Sequence, residues 1–190
     1  PLQTVAQAIR AATARLGAGT DSARLDAELL MAHALGVSRS EMFLRWMGNA
    51  VPESYAALID RRAMHEPVAY IRGRQEFFGL DFAVSPAVLI PRADSETLVE
   101  AALQARPDAR SVLDCGTGSG ALLLAVLDQL PEAEGTGIDR SEAALAVAQR
   151  NAEALDLADR CALRAGDWTQ PEWAEGLGRF DLILANPPYV

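Results

Sequence analysis

Asp114-Cys115-Gly116-Thr117-Gly118-Ser119-Gly120 lies directly between an apolar run at 111–114 and a longer one at 121–130. The first run has the length of a strand and the second that of a helix, so the glycines fall on a strand-to-helix turn. Glycine lets a backbone turn sharply and approach a ligand closely. Three glycines at alternate positions depart from the dinucleotide spacing G-x-G-x-x-G, and no lysine follows as in a P-loop. The alternation continues outward, with strands expected at 135–139, 162–166 and 180–185 and a helix at 141–155. Strand–helix alternation predicts parallel strands with right-handed crossovers, an α/β, doubly wound sheet. The run at 180–185 is apolar throughout and is expected to be buried on both faces.

The rest of the 190 residues sets bounds on this reading. Half are apolar and 23% charged, a globular profile. No apolar run approaches the ~20 residues of a membrane helix, and the first residues lack the charged-then-apolar pattern of a signal peptide. Cys115 and Cys161 are too few for a disulfide framework or a four-cysteine zinc site, so a reducing cytoplasm is the simplest expectation. Arg supplies all 17 basic charges against 26 acids. Residues 1–75 carry 9 Arg and 7 acids, and residues 76–190 carry 8 Arg and 19 acids. The second part is therefore ill suited to nonspecific binding of a phosphate backbone.

Three segments follow: a helical bundle at 1–65, a β-hairpin linker at 66–92 and an α/β domain at 93–190. In the first helix Leu2, Val5, Ile9, Ala12 and Leu16 share a face. Thr20 or Asp21 is the expected cap of a second helix, with Leu25, Leu29 and Ala32 in its apolar stripe and Gly36 at its end. Ser38 and Glu41 form a capping-box pattern, and Pro52 is expected in the first turn of a helix over 53–65. Two short strands flank Gly79, and Ser95 is expected to cap a helix from Glu96 towards Ala105.

Three further motifs sit at expected strand ends. Asp139 can accept both hydroxyls of a ribose, whether of a nicotinamide cofactor or of S-adenosylmethionine; the alternative is a cap on the helix that follows. Asp167 can accept from an adenine amino group, and Trp168 can pack on the purine face. Asn186-Pro187-Pro188-Tyr189 removes two backbone donors while keeping carbonyl acceptors. With the Asn186 side chain, it suits a planar –NH2 group, and Tyr189 offers that group a flat face. His33 and His65 lie near no motif, and neither cysteine has an evident activating partner.

The glycine turn followed by Asn-Pro-Pro-Tyr resembles methyltransferases that act on an amide or exocyclic amine nitrogen. Glu66-Pro67-Val68-Ala69-Tyr70-Ile71-Arg72-Gly73, Glu76-Phe77-Phe78-Gly79, Val88-Leu89-Ile90-Pro91-Arg92 and Ser95-Glu96-Thr97-Leu98-Val99-Glu100 narrow this. They resemble the protein-(glutamine-N5) methyltransferases of peptide chain release factors, the PrmC/HemK family, over nearly the whole chain. That family usually has Pro-Glu-Thr-Glu where this chain has Ala93-Asp94-Ser95-Glu96.

The resemblance implies a Rossmann-like methyltransferase sheet, S-adenosylmethionine as cofactor and the glutamine of a release factor's Gly-Gly-Gln loop as substrate. It implies cofactor contacts from Gly116, Thr117, Gly118, Ser119, Gly120, Asp139 and Trp168; Asp167 and Asn186 are expected to join them. Asn186, Pro187, Pro188 and Tyr189 would bind the glutamine and form the catalytic corner. No metal, membrane or direct nucleic-acid partner is expected, and the state expected is monomeric. The family's sheet has further strands after Asn-Pro-Pro-Tyr, so the chain reads as a fragment whose fourth strand lies at an open edge. The rival readings are a nucleic-acid adenine amino-methyltransferase, a noncatalytic module that binds cofactor and partner, and a nicotinamide-dependent enzyme.

Overall fold

The computed structural model describes residues 3–17 and 19–187 and clusters into two units, Pro1–Arg72 and Gly73–Val190. In the first unit, helix α1 (Val5–Leu16) opens on a capping box. The Thr4 hydroxyl accepts from the Gln7 N–H at 3.3 Å, and the Gln7 side chain accepts from the Thr4 N–H at 2.9 Å. Val5, Ala8, Ile9, Ala12 and Leu16 form its buried face; Leu2 lies outside the described residues.

Helix α2 (Ala23–Leu35) ends at Gly36, whose φ of 68° needs no Cβ. Its inner face differs from the expected stripe. Leu25 is 44% exposed, while Ala23, Ala27, Leu30 and Met31 are buried together with Asp26 and Glu28. Arginines explain the difference: Arg62 reaches Asp26 at 2.7 Å, and Arg24 and Arg39 hold Glu28 at 2.9 and 2.7 Å. With their charges paired, the two acids can occupy inward positions that apolar periodicity would not give them. Neither Thr20 nor Asp21 caps α2; Ser22 stands at the cap position without a side-chain cap bond.

Helix α3 (Arg39–Glu41) starts where expected, with the Ser38 hydroxyl accepting from the Glu41 N–H, and runs on as a π-helical turn, Met42–Trp46. Helix α4 (Tyr55–Ala63) begins later than expected, because Pro52 closes a separate turn in which its carbonyl accepts from the Tyr55 N–H. The short helix α5 (Val68–Arg72) ends the unit.

The second unit opens with a hairpin, β1 (Arg74–Phe77) and β2 (Leu80–Ala83). Phe78 and Gly79 both have positive φ, 52° and 77°, as a two-residue turn matched to strand twist requires. A 3-10 turn, Ala93–Ser95, leads into α6 (Glu96–Ala105). Ser95 does not cap it: its backbone is already helical and its side chain makes no cap bond. The Glu96 carboxylate instead accepts from the Phe78 N–H at 2.9 Å and ties the hairpin to this helix.

The sheet consists of β3 (Ser111–Cys115), β4 (Glu134–Asp139), β5 (Cys161–Ala165) and β6 (Leu182–Ala185), all parallel in the order β5-β4-β3-β6. Helices α7 (Ala121–Gln129) and α8 (Glu142–Ala154) make the first two crossovers. The chain winds outward from β3 and then returns to add β6 on its other side, the order reversal of a doubly wound α/β sheet. Leu123, Leu124 and Leu127 of α7 are completely buried in the core against it.

Strand β6 is not buried on both faces. Leu184 is covered, but Ile183 is 63% exposed, because successive side chains face opposite sides and, among the described residues, only one side is packed. The strand is anchored at its start. The Asp181 carboxylate accepts from the Arg110 and Ser111 N–H groups at 2.9 and 3.1 Å and from the Ser111 hydroxyl at 3.1 Å. These bonds hold its pKa below the usual aspartate range.

Asn151 of α8 is a second tie. Its Oδ1 accepts from the Ala83 N–H at 2.7 Å, and its Nδ2 donates to the carbonyls of Ala83 and Ser119 at 3.0 and 2.8 Å. One buried carboxamide thus fastens the hairpin and the glycine turn to the same helix. Asn151→Ala leaves the Ala83 N–H without this partner and is expected to lower unfolding free energy by about 2 kcal/mol. Urea denaturation checks this; an unchanged midpoint and slope would rule out the clamp.

Candidate functional site

All four strands end on one rim. Cys115 of β3 is in register with Ile138 of β4 and Ala185 of β6, and Asp139 with Ala165 of β5. The residues just past these positions are the glycine turn, Asp167-Trp168 and Asn186-Pro187. Open parallel sheets hold ligands at this carboxyl edge, beside the strand where the winding reverses. A cavity of about 520 Å³ lies there, within the range of small-molecule sites.

The glycine turn is folded back onto β4. The Gly116 and Thr117 N–H groups both donate to the Ile138 carbonyl, at 2.8 and 2.9 Å, and the Gly118 N–H donates to Asp139 Oδ2 at 2.9 Å. Gly116 has φ 77°, and a Cβ there would come within 3.0 Å of the Trp168 ring. The position is therefore reserved for glycine both by backbone conformation and by the indole over it. Gly116, Thr117, Gly118 and Ser119 line the cavity. Gly120 does not: it begins α7 and packs against Leu124 and Ala148.

Asp139 has both carboxylate oxygens held, Oδ2 by Gly118 and Oδ1 by the Ser141 N–H at 2.9 Å. Asp139 is thus tied to the turn before α8 without being its cap, and its carboxylate is not used up by these two bonds. A carboxylate offers about four acceptor directions, so each oxygen keeps one, a pair suited to adjacent hydroxyls. The Ser141 hydroxyl takes over capping of α8 by accepting from the Ala144 N–H.

Asp167 Oδ1 accepts from the Thr169 N–H and hydroxyl, at 2.9 and 2.7 Å, which holds its pKa down. Trp168 is 43% exposed and presents its ring to the cavity. These residues fit an adenosine-bearing cofactor: a glycine cradle, a fixed carboxylate for a diol, and an acid beside an indole. Arg92 and Arg140 stand on the same wall.

Asn186 and Pro187 line the same cavity. Asn186 is half-buried and donates from Nδ2 to the Ser95 hydroxyl at 3.4 Å. Pro188 and Tyr189, the rest of the expected corner, lie outside the described residues. Residues 87–92 and Ser95 also wall the cavity. The sequence placed 87–92 in the linker and gave it no site role, because it is an irregular segment with no motif at the end of a sheet strand.

Asp114 begins the motif yet faces away from solvent. It is buried, with Oδ2 accepting from the Thr117 hydroxyl at 2.7 Å and Oδ1 unpaired. Burial pushes its carboxyl up to about 6, and the charge of Asp139 adds to the rise; the Thr117 bond and the Leu123 amide pull the other way. Burial likewise raises both thiols, Cys161 to about 11, so neither is primed as a thiolate nucleophile.

Comparisons with known proteins place the chain among relatives. Residues 7–73 match the PrmC N-terminal domain family and residues 107–188 a methyltransferase domain family. A release factor glutamine methyltransferase of Moorella thermoacetica is 44% identical over 193 residues, spanning 98% of this chain and 67% of its own. Those of Geobacter sulfurreducens and Xylella fastidiosa are 46% and 47% identical, over 90% and 88% of this chain and 60% and 61% of theirs. The chain thus spans about three fifths of the length of these curated relatives. Among solved structures, the METTL16 methyltransferase domain superposes with a TM-score of 0.50 at 19% identity, over 58% of this chain and 53% of that one, and shares the fold.

Asp114 sets a pH dependence. Its folded pKa of about 6 lies above the ordinary 3.8, so its stabilising contribution is complete below about pH 4 and is lost as pH rises through 6. Asp114→Asn is expected to gain stability relative to the parent between pH 4 and 7, by roughly 3 kcal/mol at most. Thermal melts of both proteins across that range check it, and parallel profiles would contradict the shift.

Proposed function

The chain belongs to the release factor glutamine methyltransferase family, and from that premise we propose that it methylates the glutamine side chain in the Gly-Gly-Gln loop of a peptide chain release factor, with S-adenosylmethionine as donor. The observation that carries this reading is the shared cavity wall. Asn186 and Pro187 stand on it together with Gly116, Gly118 and Asp139.

In this reading Gly116 to Ser119 carry the cofactor's amino-acid end, Asp139 its ribose, and Asp167 with Trp168 its adenine. Bound there, the cofactor supplies an electrophilic methyl on a cationic sulfur. A glutamine amide is a weak nucleophile because its nitrogen lone pair is delocalised into the carbonyl. What the protein provides is placement. Asn186 Oδ1 and a proline carbonyl of the Asn-Pro-Pro-Tyr corner accept the two N–H bonds of the substrate –NH2, fixing the nitrogen and favouring positive charge on it. This is orientation and electrostatic preorganisation rather than prior deprotonation by a relay. As the N–CH3 bond forms, the S–CH3 bond would break with its electron pair left on sulfur, and the nitrogen would lose one proton to solvent. Residues 87–90 and Trp168 give the cavity an apolar side.

The helical unit holds the protein substrate in the same proposal, and the setting is cytoplasmic. No helix among the described residues is long and apolar enough to cross a membrane.

Incubating the full-length protein with a release factor and S-adenosylmethionine is expected to add one methyl mass to the Gly-Gly-Gln glutamine, read by peptide mass spectrometry. An unmodified glutamine with the cofactor bound would overturn the substrate assignment. Asn186→Ala is expected to slow single-turnover transfer by about a hundredfold, near the effect of removing one electrostatic stabiliser, while cofactor affinity measured by calorimetry changes far less.

A further inference from the structure

We propose that Ser95 is a positioning residue that locks the orientation of the Asn186 carboxamide, an inference that rests on the substrate reading above. Ser95 sits where a helix cap belongs but does not cap α6. Its hydroxyl lies 3.3 Å from Asp94 Oδ1 and 3.4 Å from Asn186 Nδ2. An ionised carboxylate only accepts hydrogen bonds. The Ser95 hydroxyl proton is therefore directed to Asp94, and the hydroxyl oxygen is left as an acceptor. Only the –NH2 end of Asn186 can complete that contact. The side-chain carbonyl of Asn186 thus remains as the end that can accept from a substrate amide.

The need for such a lock follows from the carboxamide itself. Its terminal torsion is broad and roughly two-fold, so an untethered Asn186 would also present –NH2 towards a substrate –NH2, donor against donor. Ser95 removes that alternative. The turn that carries it is held on both sides. The Thr97 hydroxyl donates to the Asp94 carbonyl at 2.6 Å, and Glu96 is bonded to the hairpin at Phe78. Ser95 and Asn186 are 91 positions apart, and they meet because the turn before α6 and the end of β6 border the same cavity. At 3.4 Å the contact is long for a neutral hydrogen bond, so its expected effect is one order of magnitude rather than several.

The test uses the full-length protein with saturating S-adenosylmethionine and release factor. Ser95→Ala is expected to lower single-turnover methyl transfer about tenfold, the equivalent of one hydrogen bond of ~1.4 kcal/mol, with cofactor Kd changed less than about twofold. Ser95→Thr, which keeps the hydroxyl, is expected to stay within about twofold of the parent. In an Asn186→Ala background, Ser95→Ala is expected to add nothing, since the contact is already gone. A Ser95→Ala effect that persists undiminished in that background, or is absent in the parent, overturns the proposal.

A second readout needs no reaction. The Asn186 side-chain amide signals in a ¹⁵N–¹H spectrum of the cofactor-free protein are expected to move in Ser95→Ala and not in Ser95→Thr. Unmoved signals in Ser95→Ala overturn the contact. If the parent transfers no methyl to the release factor, the substrate reading fails, and these spectra decide the Ser95–Asn186 lock independently.

Discussion

The site depends on one backbone junction. The Ile138 carbonyl accepts two N–H groups from the glycine turn, and the Asp139 carboxylate accepts a third. Without those bonds the turn after β3 has no reason to bend towards β4, and the first and second corners of the cavity would not meet. The bonds are available because β3 and β4 are parallel and paired as far as Cys115 and Ile138, one residue short of the end of β4. The carbonyl and carboxylate at the end of one strand then lie opposite the free amides at the end of the other. The cradle also confines Asp114, which sits beneath it with one oxygen held by Thr117. A carboxyl enclosed in this way resists ionisation, so the junction contains an electrostatic stress as well as a geometric solution.

Much of this was legible in the chain. Strand and helix alternation, the glycine turn, Asp139, Asp167-Trp168 and Asn186-Pro187 all occupy the rim that the pattern predicted. These features are local: each is a short apolar run that ends in a distinctive residue type. What was not legible depends on partners far away in sequence. Asp26 and Glu28 are buried because Arg62, Arg24 and Arg39 reach them, and apolar periodicity assigns acids to the outside. Ile183 is exposed because one side of β6 is unpacked among the described residues, and composition alone treats every apolar position alike. Ser95 looks like a cap by its position and residue type, yet its hydroxyl is bonded elsewhere. Asn151 did leave a local trace, since asparagine is an unfavourable choice within a helix, and such a residue warrants a search for a tertiary partner.

The two units use charge differently. In the helical unit the Asp26–Arg62 pair is largely covered, whereas Arg24, Arg39 and Arg15 extend their guanidinium groups into solvent. Exposed pairs contribute little to stability, but breaking a covered pair leaves an uncompensated charge. Asp26–Arg62 ties α2 to α4, and Arg24 with Arg39 compensates the buried Glu28 carboxylate from the solvent side, whereas Arg15–Asp60 is exposed at both ends. In the sheet unit the acids act as acceptors for backbone N–H groups: Asp181 at the start of β6, Asp139 at the end of β4 and Glu96 at the hairpin. There, the charge of these three acids positions main chain, and Asp181 adds a longer contact to Arg106.

The order in which the rim is assembled bears on biosynthesis. Its corners are donated by four strands, and the return that places β6 beside β3 comes last. During translation the cradle, Asp139 and the indole leave the ribosome well before the asparagine that completes the enclosure. A nascent chain short of residue 186 can thus carry the parts that would grip a nucleoside while lacking the wall on which the proposed acceptor stands. In the proposed reading, the acceptor corner follows the nucleoside corners in the order of synthesis, and ligand capture by a chain arrested between them would precede competence to use it.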